Sequence, residues 1–118
     1  MNSFEKRGMA SDSDIQQLKY MNFEQRIKML QGKEPCLRSA AAISLKQDVD
    51  KVVYMLLKQL EKEEAFYTRI AICETLEEGD VKTAAKMCRY IGKIGKNRYK
   101  KERAKYRLKN RFHYPVIS

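Results

Sequence analysis

The chain predicts an all-α fold: a right-handed α-α superhelix, or solenoid, of antiparallel helix hairpins. Three observations carry that expectation. The first is internal repetition. Arg38-Ser-Ala-Ala-Ala-Ile-Ser-Leu45 recurs further on as Arg69-Ile-Ala-Ile-Cys-Glu-Thr-Leu76, and Val53, Leu56, Leu57 and Leu60 recur at the same interval as Ala84, Met87, Cys88 and Ile91. A shorter echo, one position tighter, relates Phe23, Ile27 and Leu30 to Val53, Leu57 and Leu60. A fixed period of this size, about 31 residues, marks stacked supersecondary units. The second is composition: apolar residues make up 43%, with five Gly, two Pro and no Trp, so helix formers dominate and breakers are few. The third is the shortness of the polar turns between apolar stripes, which forces successive helices to lie antiparallel.

Residues 1–12 lack an apolar period and read as a flexible N-terminal arm; residues 13–95 carry the repeats. Ser13 or Asp14 is positioned to cap a first helix reaching about Gln31, with Tyr20, Phe23, Ile27 and Leu30 on one face. Gly32 is a natural stop. Pro35 suits the first turn of a second helix, where its missing N–H has no partner in any case. Leu37, Ala40, Ala41, Ser44 and Leu45 form its stripe. Asp48 or Asp50 can cap a third helix carrying Val53, Leu56, Leu57 and Leu60 at i, i+3, i+4, i+7. A break near Glu61–Glu64 leads to a fourth helix ending near Glu78, apolar over more than one face and so expected between neighbours. Asp80 caps a fifth, from Val81 to about Ile94, with Val81, Ala84, Ala85, Cys88 and Ile91 on one side. Cys36, Cys73 and Cys88 each fall in an apolar helical pattern. Their odd number and wide spacing speak for reduced core residues rather than disulfides or a metal site.

Gly79-Asp80-Val81-Lys82-Thr-Ala84-Ala85…Ile91-Gly92-Lys-Ile94-Gly95 resembles the Asp-x-Val-Arg-x-x-Ala-Ala…Leu-Gly-x-Ile-Gly wording of the short bacterial and archaeal HEAT repeat family. Pro35-Cys-Leu37-Arg38-Ser-Ala-Ala-Ala42 resembles the opening of that unit. The resemblance covers residues 14–95 and implies a HEAT-like solenoid of about two and a half repeats, a fold used as a binding scaffold. The two matches fall in different halves of the repeat unit, so the helix register within each repeat stays open. Arg38 and Arg69, at equivalent positions, are expected to pair with acidic residues of a neighbouring turn; Lys82 takes the equivalent place in the other register.

The formal net charge is +10. Residues 96–111 hold nine basic residues and one acid, which leaves the rest of the chain near neutral. This C-terminal segment, 96–118, is expected to be helical to about residue 112, with Ala104, Leu108 and Phe112 as a narrow stripe. Lys96, Arg98, Lys100, Lys101, Arg103, Lys105, Arg107, Lys109 and Arg111, with Tyr99 and Tyr106 among them, have the make-up of a nucleic-acid-binding segment: cations release counterions from phosphates, and tyrosines stack on unpaired bases. A second basic surface is expected where the second helices of the hairpins line a concave face: Lys51, Tyr54, Lys58 and Lys62 beside Lys86, Arg89, Tyr90 and Lys93.

Catalysis finds little support. There is no HExxH, Walker loop, GxSxG or cysteine–histidine pair. Glu63-Glu64 and Glu77-Glu78 are sequence neighbours that do not face one another on a helix. His113, the only histidine, lies in the basic segment. Ile91-Gly92-Lys-Ile94-Gly95 has the wording of a KH-domain loop, but no strand pattern accompanies it. No apolar run spans a membrane and no leader peptide is recognisable, so a cytoplasmic location is expected. The expectation is a non-catalytic scaffold that binds an acidic protein or peptide, with no cofactor, metal or small-molecule substrate. The alternative is a nucleic-acid-binding module using residues 96–111, with a helical-repeat nucleic-acid enzyme as a remote exception.

Overall fold

A computed structural model describes residues 2–93. Its described residues hold seven α-helices and no strand: α1 (Ser3–Lys6), α2 (Asp12–Lys19), α3 (Phe23–Leu30), α4 (Pro35–Ser44), α5 (Val49–Lys62), α6 (Phe66–Glu77) and α7 (Val81–Lys93), with a 3-10 turn (Lys46–Asp48) leading into α5. α4 packs on α2, α3 and α6, while α5 packs on α6 and α7. The all-helical character is therefore as expected.

The spacing predicts one helix over residues 13–31, and here the structure differs. The segment folds as α2 and α3, broken at Tyr20–Asn22. The Asn22 side chain accepts from the Gln25 backbone N–H, and the Gln25 side chain accepts from that of Asn22, both at 2.9 Å. This reciprocal capping box starts a new helix inside a run whose apolar period continues unbroken. A second box, Ser11 with Asp14, opens α2 in place of the expected Ser13 or Asp14 cap. Arg26 stabilises the break. Its guanidinium donates to the carbonyls of Leu18, Lys19, Met21 and Ser44, closing the C-terminal ends of both α2 and α4, where a cation also meets the favourable end of each helix dipole.

The core runs through Leu18, Leu30, Ala40, Ala41, Ala42, Leu45, Val52, Val53, Leu56, Leu57, Leu60, Ile72 and Cys73, all essentially inaccessible. Three consecutive alanines let α6 approach α4 closely enough for side chains to reach main chain. Thr68 Oγ1 donates to Pro35 O at 3.1 Å and Thr75 Oγ1 to Ala42 O at 2.8 Å. The N-terminal segment joins the same layer. Ser39 Oγ donates to Gly8 O, the Tyr67 N–H donates to Arg7 O at 2.8 Å, and the Arg7 guanidinium lies over the Phe66 and Tyr67 rings. Gly8 has φ +89°, and a Cβ there would collide with Thr68 Oγ1. Gly32, the expected stop, follows the end of α3 without a positive φ.

Asp80 caps α7 as expected, accepting from the Lys82 and Thr83 N–H groups. Asp48 stands at the N-cap of α5 as expected, but its side chain makes no capping hydrogen bond, since the 3-10 turn runs directly into the helix. The face of α7 is a further correction. Thr83, Met87, Tyr90 and Ile91 turn inward, whereas Val81, Ala84, Ala85 and Cys88 are exposed. The repeat explains this. The α5 residues touching α7 include Asp50, Tyr54 and Glu61, and their counterparts about 31 residues further on are Val81, Ala85 and Gly92, all exposed. α7 thus presents the side that α5 covers with α7, and among the described residues nothing packs there. Of the three cysteines expected in the core, only Cys73 is buried; Cys36 is half-buried and Cys88 exposed.

Candidate protein-interaction surface on α5 and α7

The sequence of α5 divides its circumference. Val49, Val52, Val53, Leu56, Leu57 and Leu60 point into the core, which leaves Lys51, Tyr54, Met55, Lys58 and Lys62 to solvent. Tyr54 and Met55 are each 39% exposed, so the lysines flank a small apolar island. Lys51 has only a distant carboxylate neighbour, Asp48 at 3.9 Å. On α7, Lys82 and Arg89 are exposed as well.

The structure brings α5 and α7 side by side, but two of the predicted contact residues serve the joint between them. Lys86 Nζ lies 3.2 Å from Asp50 Oδ1 and donates to the Asp50 carbonyl. Tyr90 Oη donates to Glu61 Oε2 at 3.1 Å, and its ring lies 6.1 Å from that of Tyr54. Burial, with the charge of Glu61 and the hydrogen bond to it, pushes the Tyr90 hydroxyl up to about 12. Lys86 offsets the charge of Asp50, while Glu61 keeps its carboxylate charge beside the neutral Tyr90 hydroxyl, and both pairs hold Lys86 and Tyr90 in the joint. Lys51, Tyr54, Lys58 and Arg89 therefore remain open to a ligand, while Lys86 and Tyr90 are braces. Lys93 is the last described residue of α7. The predicted nucleic-acid residues Lys96, Arg98, Tyr99, Lys100, Lys101, Arg103, Lys105, Tyr106, Arg107, Lys109 and Arg111 lie outside the described residues. Sequence reading overlooked Met55, whose apolar identity hides it among core positions, and it placed Lys82 in a structural slot.

A buried ion pair ties the start of α4 to the end of α5. Arg38 Nε and a terminal guanidinium nitrogen reach the two oxygens of Glu63, both at 2.8 Å. Glu63 also accepts from Gln59 Nε2 and the Ala65 N–H, while Arg38 donates to the carbonyls of Gly32 and Lys33. Burial pushes the Glu63 carboxyl up, but the Arg38, Gln59 and Ala65 hydrogen bonds and the Arg38 charge outweigh it, and the group is held below its ordinary value. This is the acidic partner expected for the repeated arginine.

A cavity of about 350 Å³ lies at the other end, lined by Glu5, Met9, Asp14, Glu34, Cys36 and Leu37 among others. The Cys36 thiol donates to the Glu5 and Met9 carbonyls. Burial, then the charges of Asp14, Glu5 and Glu34, raise its pKa. A thiol held protonated in this way is a poor nucleophile. Among the described residues no group of three or more His, Cys, Asp and Glu side chains is placed to hold a metal ion. No described helix is long and apolar enough to cross a membrane.

No protein family, curated protein or solved structure matches the chain.

Proposed function

We propose that the chain is a HEAT-like repeat scaffold without catalytic activity, working in the cytoplasm, that binds an acidic protein or peptide on the α5–α7 surface. The observation that carries this reading is the exposed row of cations, Lys51, Lys58 and Arg89, around the half-exposed Tyr54 and Met55. Cations flanking an apolar island suit a carboxylate-bearing partner, because complementary charge steers encounter while the apolar contact supplies area. The packing of α4 on α6 and of α5 on α7, with the start of each second helix one repeat period beyond the first to within a single position, supports the repeat-stack reading. The test is fluorescence anisotropy of a labelled Glu-rich peptide at low and high salt, against the protein and its Lys58→Glu, Arg89→Glu variant. Saturable binding that weakens with salt and is lost in the variant is the expected result; equal binding by both proteins defeats the reading.

A second reading, nucleic-acid binding, draws on the concentration of nine cations in residues 96–111. Tighter, salt-dependent binding of single-stranded oligonucleotides that survives the same two substitutions would favour it.

A further inference from the structure

The exposed cations of α5 recur on α7 in the register of the repeat. Lys51 has its counterpart in Lys82, Lys58 in Arg89 and Lys62 in Lys93, each one full repeat further along the chain. On each helix the three positions follow i, i+7, i+11, which places them on one face. Lys51, Lys58, Lys62, Lys82 and Arg89 are all exposed. The recurrence of apolar residues at Leu56 and Met87 has a packing cause. A solvated position is free to take any polar side chain, so the recurrence of one charge sign at the two exposed pairs, Lys51 with Lys82 and Lys58 with Arg89, has none.

In the sequence register Lys51 stands with Lys82 and Lys58 with Arg89, on two helices that pack against each other. Packed helices lie about 8–10 Å apart, so a ligand that meets one cation on each helix carries its anions at about that interval. A polyproline-II segment has three residues per turn and rises about 3.1 Å per residue, so its positions i and i+3 share a side about 9 Å apart. An acidic α-helix repeats its face about every 6 Å, with i and i+7 about 10.5 Å apart, so it follows the Lys58–Lys62 step along α5 more closely than the step between helices, which the polyproline-II interval matches directly. Tyr54 and Met55, between the Lys51 and Lys58 levels of α5, offer apolar contact to the residues separating the carboxylates.

We infer that the α5–α7 surface holds an extended acidic segment of a partner protein, lying across the helix axes with a carboxylate at every third residue. The inference rests on the acidic-partner reading above and adds conformation and spacing to it. Arg89 takes its carboxylate through a planar fork and the lysines act as point charges.

The test compares two labelled peptides of identical composition, one made of four Glu-Pro-Pro units and one with its four glutamates in a single block, on the full chain at low salt. The in-register peptide is expected to bind about two- to thirtyfold more tightly, the span of two exposed ion pairs. The Lys58→Glu, Arg89→Glu variant is expected to abolish that preference. Lys28→Glu with Lys33→Glu, the same charge change at exposed lysines away from α5 and α7, is expected to keep it. All the substituted positions are exposed, and far-UV circular dichroism of each variant checks that the helix content is retained. Equal binding of the two peptides overturns the spacing and leaves the acidic-partner reading standing. Binding of neither overturns both. A preference that survives the row substitution places the contact elsewhere, and displacement of the peptide by a single-stranded oligonucleotide of equal charge makes the surface a phosphate site; either result overturns the inference.

Discussion

Arg38 and Glu63, 25 residues apart, meet in a two-pronged ion pair with both contacts at 2.8 Å, the Glu63 side chain 1% and the Arg38 side chain 15% accessible. Removing one partner of such a pair strands the other in a poorly hydrated place, which costs about 3–5 kcal/mol. Arg38→Ala is therefore expected to destabilise the fold by that amount in urea titration at neutral pH. The carboxyl is held below its ordinary value of 4.5. Its contribution is thus present above that pH and is lost as pH falls through the folded value. Glu63→Gln lacks the titrating proton, so the acid limb of its stability curve should be shallower than that of the parent. A parallel fall in the two proteins would show that Glu63 does not carry the acid dependence.

Arg26 serves two helix ends with one side chain. Hydrogen bonds from charged groups contribute about 1.5–3 kcal/mol each, though not additively. Arg26→Ala is expected to lower stability by about 2–3 kcal/mol. Arg26→Lys should recover only a small part, because a single ammonium cannot span the carbonyls of Leu18 and Ser44 together. Full recovery by lysine would mean that charge alone, and not the fork, holds the α2–α3 break.

Tyr90 ties the alkaline side of the stability curve to the α5–α7 joint. Its hydroxyl is raised from 10.0 to about 12, so the neutral form is favoured in the folded chain. The contribution is complete below the unfolded value and disappears as pH rises through the folded one. Tyr90→Phe should be less stable at neutral pH and should lose less between pH 10 and 12 than the parent. Melting curves of the two proteins across that window decide it.

The three thiols differ in surroundings, and their reactivity should follow. Cys73 is inaccessible and Cys36 is held protonated, while Cys88 stands exposed on α7. A maleimide reagent at neutral pH should add once, quickly, at Cys88, and more slowly elsewhere. Peptide mapping after a short pulse identifies the site. Fast labelling of Cys36 would contradict its shielded position.

Much of the fold was legible in the chain, and the gaps have physical causes. The spans of α4 to α7 follow from the repeat period, from Pro35 and from Asp80, because stripe and cap agree there. The break at Asn22 was hidden, since Tyr20, Phe23 and Ile27 keep helical spacing through it and only the Asn22–Gln25 box interrupts the backbone. Periodicity also states which residues share a face without stating whether a neighbour covers it. Hence Ala84 and Cys88, counterparts of the buried Val53 and Leu57, came out exposed. On the surface, Lys51, Lys58 and Arg89 could be read as solvated from their place opposite the stripe. Lys86 and Tyr90 could not be read as braces, because Asp50 and Glu61 lie 36 and 29 residues away.

The connector between α5 and α6, Glu63 to Ala65, is where an ordinary loop would accept an extra residue. Here both of its ends are engaged: Glu63 takes the fork of Arg38, and the Ala65 N–H returns to the Glu63 carboxylate. One inserted residue would unseat that carboxylate, and one inserted in α5 itself would swing every later side chain by about 100°, parting Lys58 from the row of Arg89. A length change in this chain is accordingly expected to be tolerated best in steps of the sequence period of about 31 residues, which keep both the Glu63 contacts and the phase of the surface, while smaller steps sacrifice one or the other.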